Sequence, residues 1–191
     1  MPRQAGVTDA TDARTDLLAR AVELAGANGL SDVSLRQMAA ELGTSHRMLI
    51  YHFGSKEGLL VAVINEMERR QLEAMEALDA DPSLSPAEQV RSLWTQLADP
   101  ALWPHERLFF EVYGQALQGR AHAARLLDTV VESWLAPATR IGVRHGMTKR
   151  AARANARLGL AVVRGLLLDL LATGDRKGCD DALERYLATL P

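Results

Sequence analysis

Between Leu42 and Leu60 the chain reads LGTSHRMLIYHFGSKEGLL, and the residue types there suit anions and base edges better than a core. Arg47 carries a planar guanidinium able to donate two hydrogen bonds to a guanine edge. Arg36, a little earlier, has the same fork and can read a base or hold a phosphate. Ser45, Tyr51 and His52 can donate to phosphate oxygens, contacts that position a protein without reading sequence. Lys56 is predicted on the first turn of a helix, where unpaired backbone N–H groups and the helix dipole already favour an anion. His46, Met48 and Ile50 are expected to project on the same side as Arg47.

Elements must hold these side chains in place. Ser34 with Gln37 three residues later is a capping box, and predicts a short helix from Leu35 to Leu42. Gly43 permits a tight turn, and Thr44 or Ser45 starts a second short helix that stops near Phe53 and Gly54. Ser55 caps a long helix from Lys56 to about Ala80. Met38, Leu42 and Leu49 have the spacing to pack inward onto an earlier helix, and small Ala39 falls where the short pair would cross. Two short helices joined by LGTS form the pattern of a helix-turn-helix, whose second helix enters the major groove with its first residues at the base edges.

The rest of the chain supports an all-helical fold. Nearly every segment has helical period and none alternates as a strand does. Gly and Pro cut the chain into nine or ten helices. The first is predicted over about Asp12 to Ala27, ended by Asn28-Gly29. Later ones are predicted near 86–98, 104–118, 121–146, 148–173 and 179–190, with Pro137 kinking the third of these. The segment DADPSLSPAEQ, holding Pro82 and Pro86, is the clearest break.

Composition narrows the class. With 191 residues, 48% hydrophobic and 24% charged, the chain can bury a core of ordinary size. A net charge of −2 excludes a uniformly basic binder but not a local basic face. The single cysteine, Cys179, excludes an internal disulfide and fits a reducing cytoplasm. Two aspartates follow it, which disfavours its thiolate. The first residues lack the apolar core of a signal peptide, and the most apolar run is broken by Arg164 and Asp169, so neither secretion nor a membrane span is expected.

The segment SLRQMAAELGTSHRMLIYHFGSKEGLLVAV resembles the DNA-binding half of a TetR (tetracycline-repressor) family transcriptional regulator. The features that carry the resemblance are an Ala ahead of a turn glycine, Tyr-His-Phe after the recognition helix, and Ser-Lys-Glu opening the next helix. It covers about residues 12–65. The resemblance implies a helix-turn-helix domain over 1–56 and a helical ligand-binding and dimerisation domain over 57–191, joined by the long helix. It implies a homodimer bound to double-stranded DNA at a palindromic operator and released by a small-molecule effector, most simply as a repressor. Carried over by position, Arg36, His46, Arg47 and Met48 stand at base-reading sites, and Tyr51, His52 and Lys56 at phosphate sites. Two positions depart from the family pattern. Ile50 replaces a usual tyrosine, and Arg47 stands where Gly or Pro is common.

The second half suggests where a partner and an effector bind. From Leu158 onward the helix 148–173 is apolar nearly all round and must be covered on two sides. Ala152, Ala156, Gly159, Val163, Leu166 and Leu170 form one candidate dimer seam. Leu127, Val131, Trp134, Ala138 and Ile141 form a second on the preceding helix. Asp169 is expected to pair with an arginine, such as Arg164 or one across the dimer, or else to line the pocket. Trp94, Trp103, Phe109, Phe110, Tyr113 and Trp134 cluster in the sequence and are candidates to line an effector cavity. No metal-ligand spacing, phosphate-cradling glycine loop or nucleophile motif is present, so neither catalysis nor a cofactor is expected. His105, Glu106 and Glu111 lack a placeable third partner for a metal. The competing reading is a helical interaction module whose helix-turn-helix contacts protein.

Overall fold

A computed structural model describes residues 5–30, 32–79, 81 and 84–190, with side chains from residue 12 onward except that of residue 28. Every regular element among them is helical. In order these are α1 (Ala5–Asn28), α2 (Leu35–Glu41), α3 (His46–Phe53), α4 (Lys56–Asp79) and α5 (Pro86–Leu97). After a single 3-10 turn at Pro100–Leu102 come α6 (Trp103–Leu117), α7 (Leu126–Thr129), α8 (Glu132–Arg144), α9 (Lys149–Thr173) and α10 (Arg176–Leu187). Two compact units result. One holds Met1–Met67 with Pro104–Leu126, the other Glu68–Trp103 with Leu127–Pro191.

Helix ends follow local chemistry. Gly29, at φ +68°, ends α1, and Gly174, at φ +73°, ends α9. Ser85 and Glu88 make a capping box for α5, with Pro86 at its first position. Thr148 caps α9 and Asp175 caps α10, so α10 begins three residues ahead of the predicted start. Helix α1 begins at Ala5, earlier than the apolar pattern suggested. Of the expected break between α4 and α5, Pro82 lies outside the described residues, as does Ala80 at the expected end of α4.

In the first unit Leu17, Ala21, Val22 and Ala25 of α1 are buried, as are Met38, Leu49, Leu59, Val63 and Ile64 of α2 to α4. Helix α6 adds Leu108, Phe109 and Val112, all buried. His105 Nε2 lies 2.8 Å from the Val22 carbonyl oxygen. A Cβ at Gly26 would stand 2.5 Å from the same ring, so α1 and α6 approach closely there.

The helix predicted over 121–146, whose residues fall in both units, is broken. Residues 118–125 form turns, and α7 and α8 are separate. The Val130 carbonyl accepts a 2.7 Å hydrogen bond from Arg164 Nη2 of α9. The Trp134 N–H, which would meet that carbonyl in a continuous α-helix, bonds instead to Val131 at 3.2 Å. Pro137 lies inside α8. Arg164 also stands 3.5 Å from Glu68, so its acidic partner is Glu68 rather than the expected Asp169. Trp134 Nε1 donates to Glu68 at 2.7 Å. Burial pushes the Glu68 carboxyl up from its ordinary range, while the Trp134 hydrogen bond and the Arg164 charge pull the other way. Asp169 is exposed, 3.9 Å from the buried Cys179 sulfur. Burial first, then the neighbouring aspartates, raise the thiol's pKa and keep it unreactive.

Candidate nucleic-acid interface

The helix-turn-helix is built from its caps outward. Ser34 Oγ accepts from the Gln37 N–H at 3.3 Å, and the Gln37 side chain accepts from the Ser34 N–H at 2.9 Å. This fixes the start of α2. Gly43, at φ +61°, turns the chain, and the Thr44 N–H closes onto the Ala39 carbonyl at 2.9 Å. Ser45 then caps α3, its Oγ accepting from the Met48 N–H at 3.2 Å. A hydroxyl used as acceptor keeps its own proton to donate outward.

Helical period sorts the side chains of this pair. Met38, Ala39, Leu42 and Leu49 are buried. Arg36, Ser45, His46, Arg47, Met48, Ile50 and Tyr51 are exposed, Tyr51 by 70%. The predicted outward row therefore exists, and it stands over a wholly buried Leu49. A solvated Met and Ile beside an Arg on a helix of eight residues offer both apolar and hydrogen-bonding contact to a surface.

Two predicted phosphate residues lie differently. Lys56 is half-buried on the first turn of α4. His52 is half-buried too, its Nε2 covered and without a hydrogen-bond partner among the described residues. That nitrogen is not offered to a phosphate. Three residues beyond Leu49, His52 falls toward the packed side of α3, and its ring meets Tyr51 and Phe53 edge-on.

The braces of the motif were not read from the sequence. Arg20 of α1 donates to the Leu42 carbonyl at 2.6 Å and pairs with Asp16 at 2.8 Å. It thus satisfies a carbonyl that the end of α2 leaves without a helical partner. Arg14 donates to the His52 carbonyl at 3.4 Å and lies over the Phe53 ring, 5.2 Å from its centre. Gly58 is a third brace. A Cβ there would stand 2.1 Å from the Phe53 carbonyl oxygen, so only glycine lets α4 leave α3 at this angle. The Gly58 N–H also meets the Ser55 cap at 3.0 Å. Nothing in the 3.6-residue period marks Gly58, although a glycine in the first turn of a long helix is a weak signal of close approach.

Residues 17–63 match the model of the bacterial regulatory proteins of the tetR family. That match takes in the helix-turn-helix together with the end of α1 and the start of α4. The whole chain has the fold of TetR-family regulators. A transcriptional regulator from Rhodococcus sp. Rha1 superposes with a TM-score of 0.74 at 19% identity, over 92% of this chain and 94% of that one. A TetR transcriptional regulator from Legionella pneumophila gives 0.69 at 17% identity, over 91% and 94%. A protein from Saccharomonospora viridis, solved in complex with choline, gives 0.66 at 20% identity, over 93% and 94%. No curated protein matches the chain.

Beyond the matched segment, the candidate effector aromatics are shared between the two compact units. Phe109, Phe110 and Tyr113 belong to the first unit, with ring centres 5.2 and 5.5 Å from Phe109. Trp94, Trp103 and Trp134 belong to the second, and each indole N–H is used there. Trp94 donates to Asp180 at 2.6 Å, Trp103 to the Ala98 carbonyl at 3.4 Å, and Trp134 to Glu68. Trp94, Phe109 and Trp134 are buried, and the other three are half-buried.

The predicted dimer seam on α9 lies largely on the side covered by its own chain. Ala152, Val163 and Leu170 are buried. Ala152 faces Gly142 of α8, where a Cβ would meet it at 2.8 Å. At Gly159 a Cβ would stand 2.9 Å from the Tyr186 hydroxyl of α10. Ala156 and Leu166 are half-buried, as are Val131, Ala138 and Ile141; Trp134 is buried and Leu127 exposed. The open face of α9 is the adjacent one. Ala151, Ala154, Leu158, Ala161, Gly165, Leu168 and Ala172 follow one another at steps of three and four, and all are exposed. Leu158 is exposed by 54% and Leu168 by 52%. Glu106 is buried, and among the described residues no group of three ligating side chains could hold a metal. No described helix is long and apolar enough to cross a membrane.

Proposed function

We propose that this chain is a homodimeric, sequence-specific transcriptional repressor that leaves a palindromic operator when a small molecule binds its second domain. The observation that carries the reading is the exposed row His46, Arg47, Met48 and Ile50 on α3, held over buried Leu49 and capped by Ser45, within the segment matching the tetR family. Arg47 and Arg36 read base edges, while Ser45, Tyr51 and Lys56 hold phosphates. Residues 1–56 form the DNA-binding domain. Residues 57–191 form the ligand-binding and dimerisation domain, with its cavity lined by some of the half-buried aromatics.

The second copy docks on the open face of α9. An apolar row at steps of three and four is the seam of a helix pair, and its small residues permit close approach. A Cβ at Gly165 would meet nothing within 4 Å among the described residues. Such a dimer presents two recognition helices to half-sites about 34 Å apart. The small-molecule trigger is supported by the Saccharomonospora viridis neighbour in complex with choline. Helix α4 has residues in both compact units and is the element through which occupancy changes the reading heads.

The test is fluorescence anisotropy of the purified protein on DNA upstream of its own gene and on a scrambled duplex, at low and high salt. Tight binding to the native duplex alone, weakening steeply with salt, is expected. Absence of binding to any DNA at low salt, selected random duplexes included, would leave the protein-contact reading in its place.

A further inference from the structure

The turns between α6 and α7 carry charge that the proposed function does not use. From Val112 to Leu127 the chain has no acidic residue, and residues 118–125 read QGRAHAAR. Arg120, His122 and Arg125 are exposed, and among the described residues no carboxylate forms an ion pair with either arginine. The shape is fixed. Gly119 stands at φ +75°, and the Arg120 N–H bonds to the Gln115 carbonyl at 3.1 Å. Ala123 and Leu126, both buried, pin the segment from below. His122 Nε2 lies 2.8 Å from the Gln115 side-chain oxygen.

Its location supplies the meaning. The segment belongs to the same compact unit as the helix-turn-helix. His122 lies close enough to act on Glu57, in the first turn of α4. There the Glu57 carboxyl is held below its usual range by a backbone hydrogen bond first, then by Ser55, with His122 and Lys56 adding their charge. The same helix start holds Lys56 and turns away from α3 at Gly58. Glu57, on that turn, is an exposed acid beside the phosphate-facing Lys56.

We propose that the turn of residues 118–125 is a second DNA-contacting element, gripping the sugar-phosphate backbone beside the base pairs read by α3. Arg120 and Arg125 each neutralise a phosphate. The contact is independent of base sequence, because guanidinium groups on a turn meet the outside of the duplex. The partner is double-stranded DNA rather than an acidic protein, since this basic surface shares its unit with the recognition helix. The inference rests on the chain being a DNA-binding regulator.

The experiment compares full-length parent, the double variant Arg120→Ala/Arg125→Ala and the double variant Arg120→Lys/Arg125→Lys on operator and scrambled duplexes over a salt series. Each phosphate neutralised adds about 0.9 to the slope of log K against log salt. In the dimer the alanine variant removes four arginines, so it should lower that slope by about 3.6 and weaken both duplexes by the same factor. The ratio of operator to scrambled affinity and the thermal unfolding should stay unchanged, and the lysine variant should restore the slope. A parent that binds with steep salt dependence while the alanine variant matches it in slope and affinity overturns the proposal and leaves the regulator reading intact. A parent that binds no DNA overturns both.

Discussion

Replacing glycine by alanine should have opposite effects at two helical positions of the first unit. At Gly58 the new methyl would lie 2.1 Å from the Phe53 carbonyl oxygen, more than 1 Å inside ordinary contact (roughly 3.2 Å or more). Both atoms belong to or hang directly from backbone, so relief requires moving α4 off the end of α3. Overpacking of this kind costs about 1–3 kcal/mol. Displacing the Gly58 N–H from Ser55 Oγ costs about 1 kcal/mol more. Alanine returns about 1 kcal/mol of helix propensity, leaving a net loss of about 2 kcal/mol. At Gly114, in the last turn of α6, a Cβ meets nothing within 4 Å among the described residues, so only the propensity gain of about 0.5–1 kcal/mol remains. Urea unfolding followed by circular dichroism should place the Gly58→Ala midpoint below the parent and Gly114→Ala above it. Operator affinity should fall for Gly58→Ala alone, because the reading helix is re-aimed. Equal midpoints for Gly58→Ala and parent would refute the close approach of α3 and α4 on which the geometry of the interface depends.

Further outcomes follow from the same reasoning. Arg47→Ala should relax base preference at one position of each half-site, whereas Lys56→Ala, which removes one lysine from each protomer of the dimer, should weaken all duplexes alike and lower the salt slope by about 1.8, measured by anisotropy. Leu158→Glu with Leu168→Glu should yield monomers in sedimentation velocity, since both side chains are exposed and their loss leaves the protomer's own core intact; an unchanged dimer would exclude the open face of α9. For Glu68 the folded pKa lies above the unfolded value, near 4.5, so the folded state holds its proton more tightly. Its contribution is then fully present below pH 4.5 and is lost as pH rises through the folded pKa. Glu68→Gln should therefore gain stability relative to the parent as pH rises above 4.5 toward neutrality, by thermal unfolding at successive pH values. A difference that does not change with pH would show that Glu68 titrates as in the unfolded chain.

What the sequence by itself determined is what depends on near neighbours. Ser34 with Gln37, Gly43, Ser45 and Ser55 each act within one helical turn, so the two short helices and the start of α4 were legible before any packing was known. The 3.6-residue period likewise put Leu49 inside and Arg47 outside, whereas it did not show that His52 is half-buried. Its ring lies at the edge of the apolar stripe, where period alone does not say which way it turns.

Tertiary structure decided whatever depends on elements far apart in the chain. Helix α9 is apolar on more than one side, and periodicity cannot tell which side its own domain takes. Gly142 of α8 and Tyr186 of α10 claimed the Ala152 and Gly159 face, which left the row from Ala151 to Ala172 open. Arg164 crossed thirty-four positions to take the Val130 carbonyl, and so divided a helix that its sequence reads as continuous. Arg20 reached Leu42, and the Phe53 carbonyl made Gly58 indispensable. The basic turn at 118–125 shares one compact unit with the first turn of α4 because buried Ala123 and Leu126 hold it there. Caps and periods are local energies and can be read along a line; which of several apolar or charged faces meets another is settled only when the helices compete for the same space.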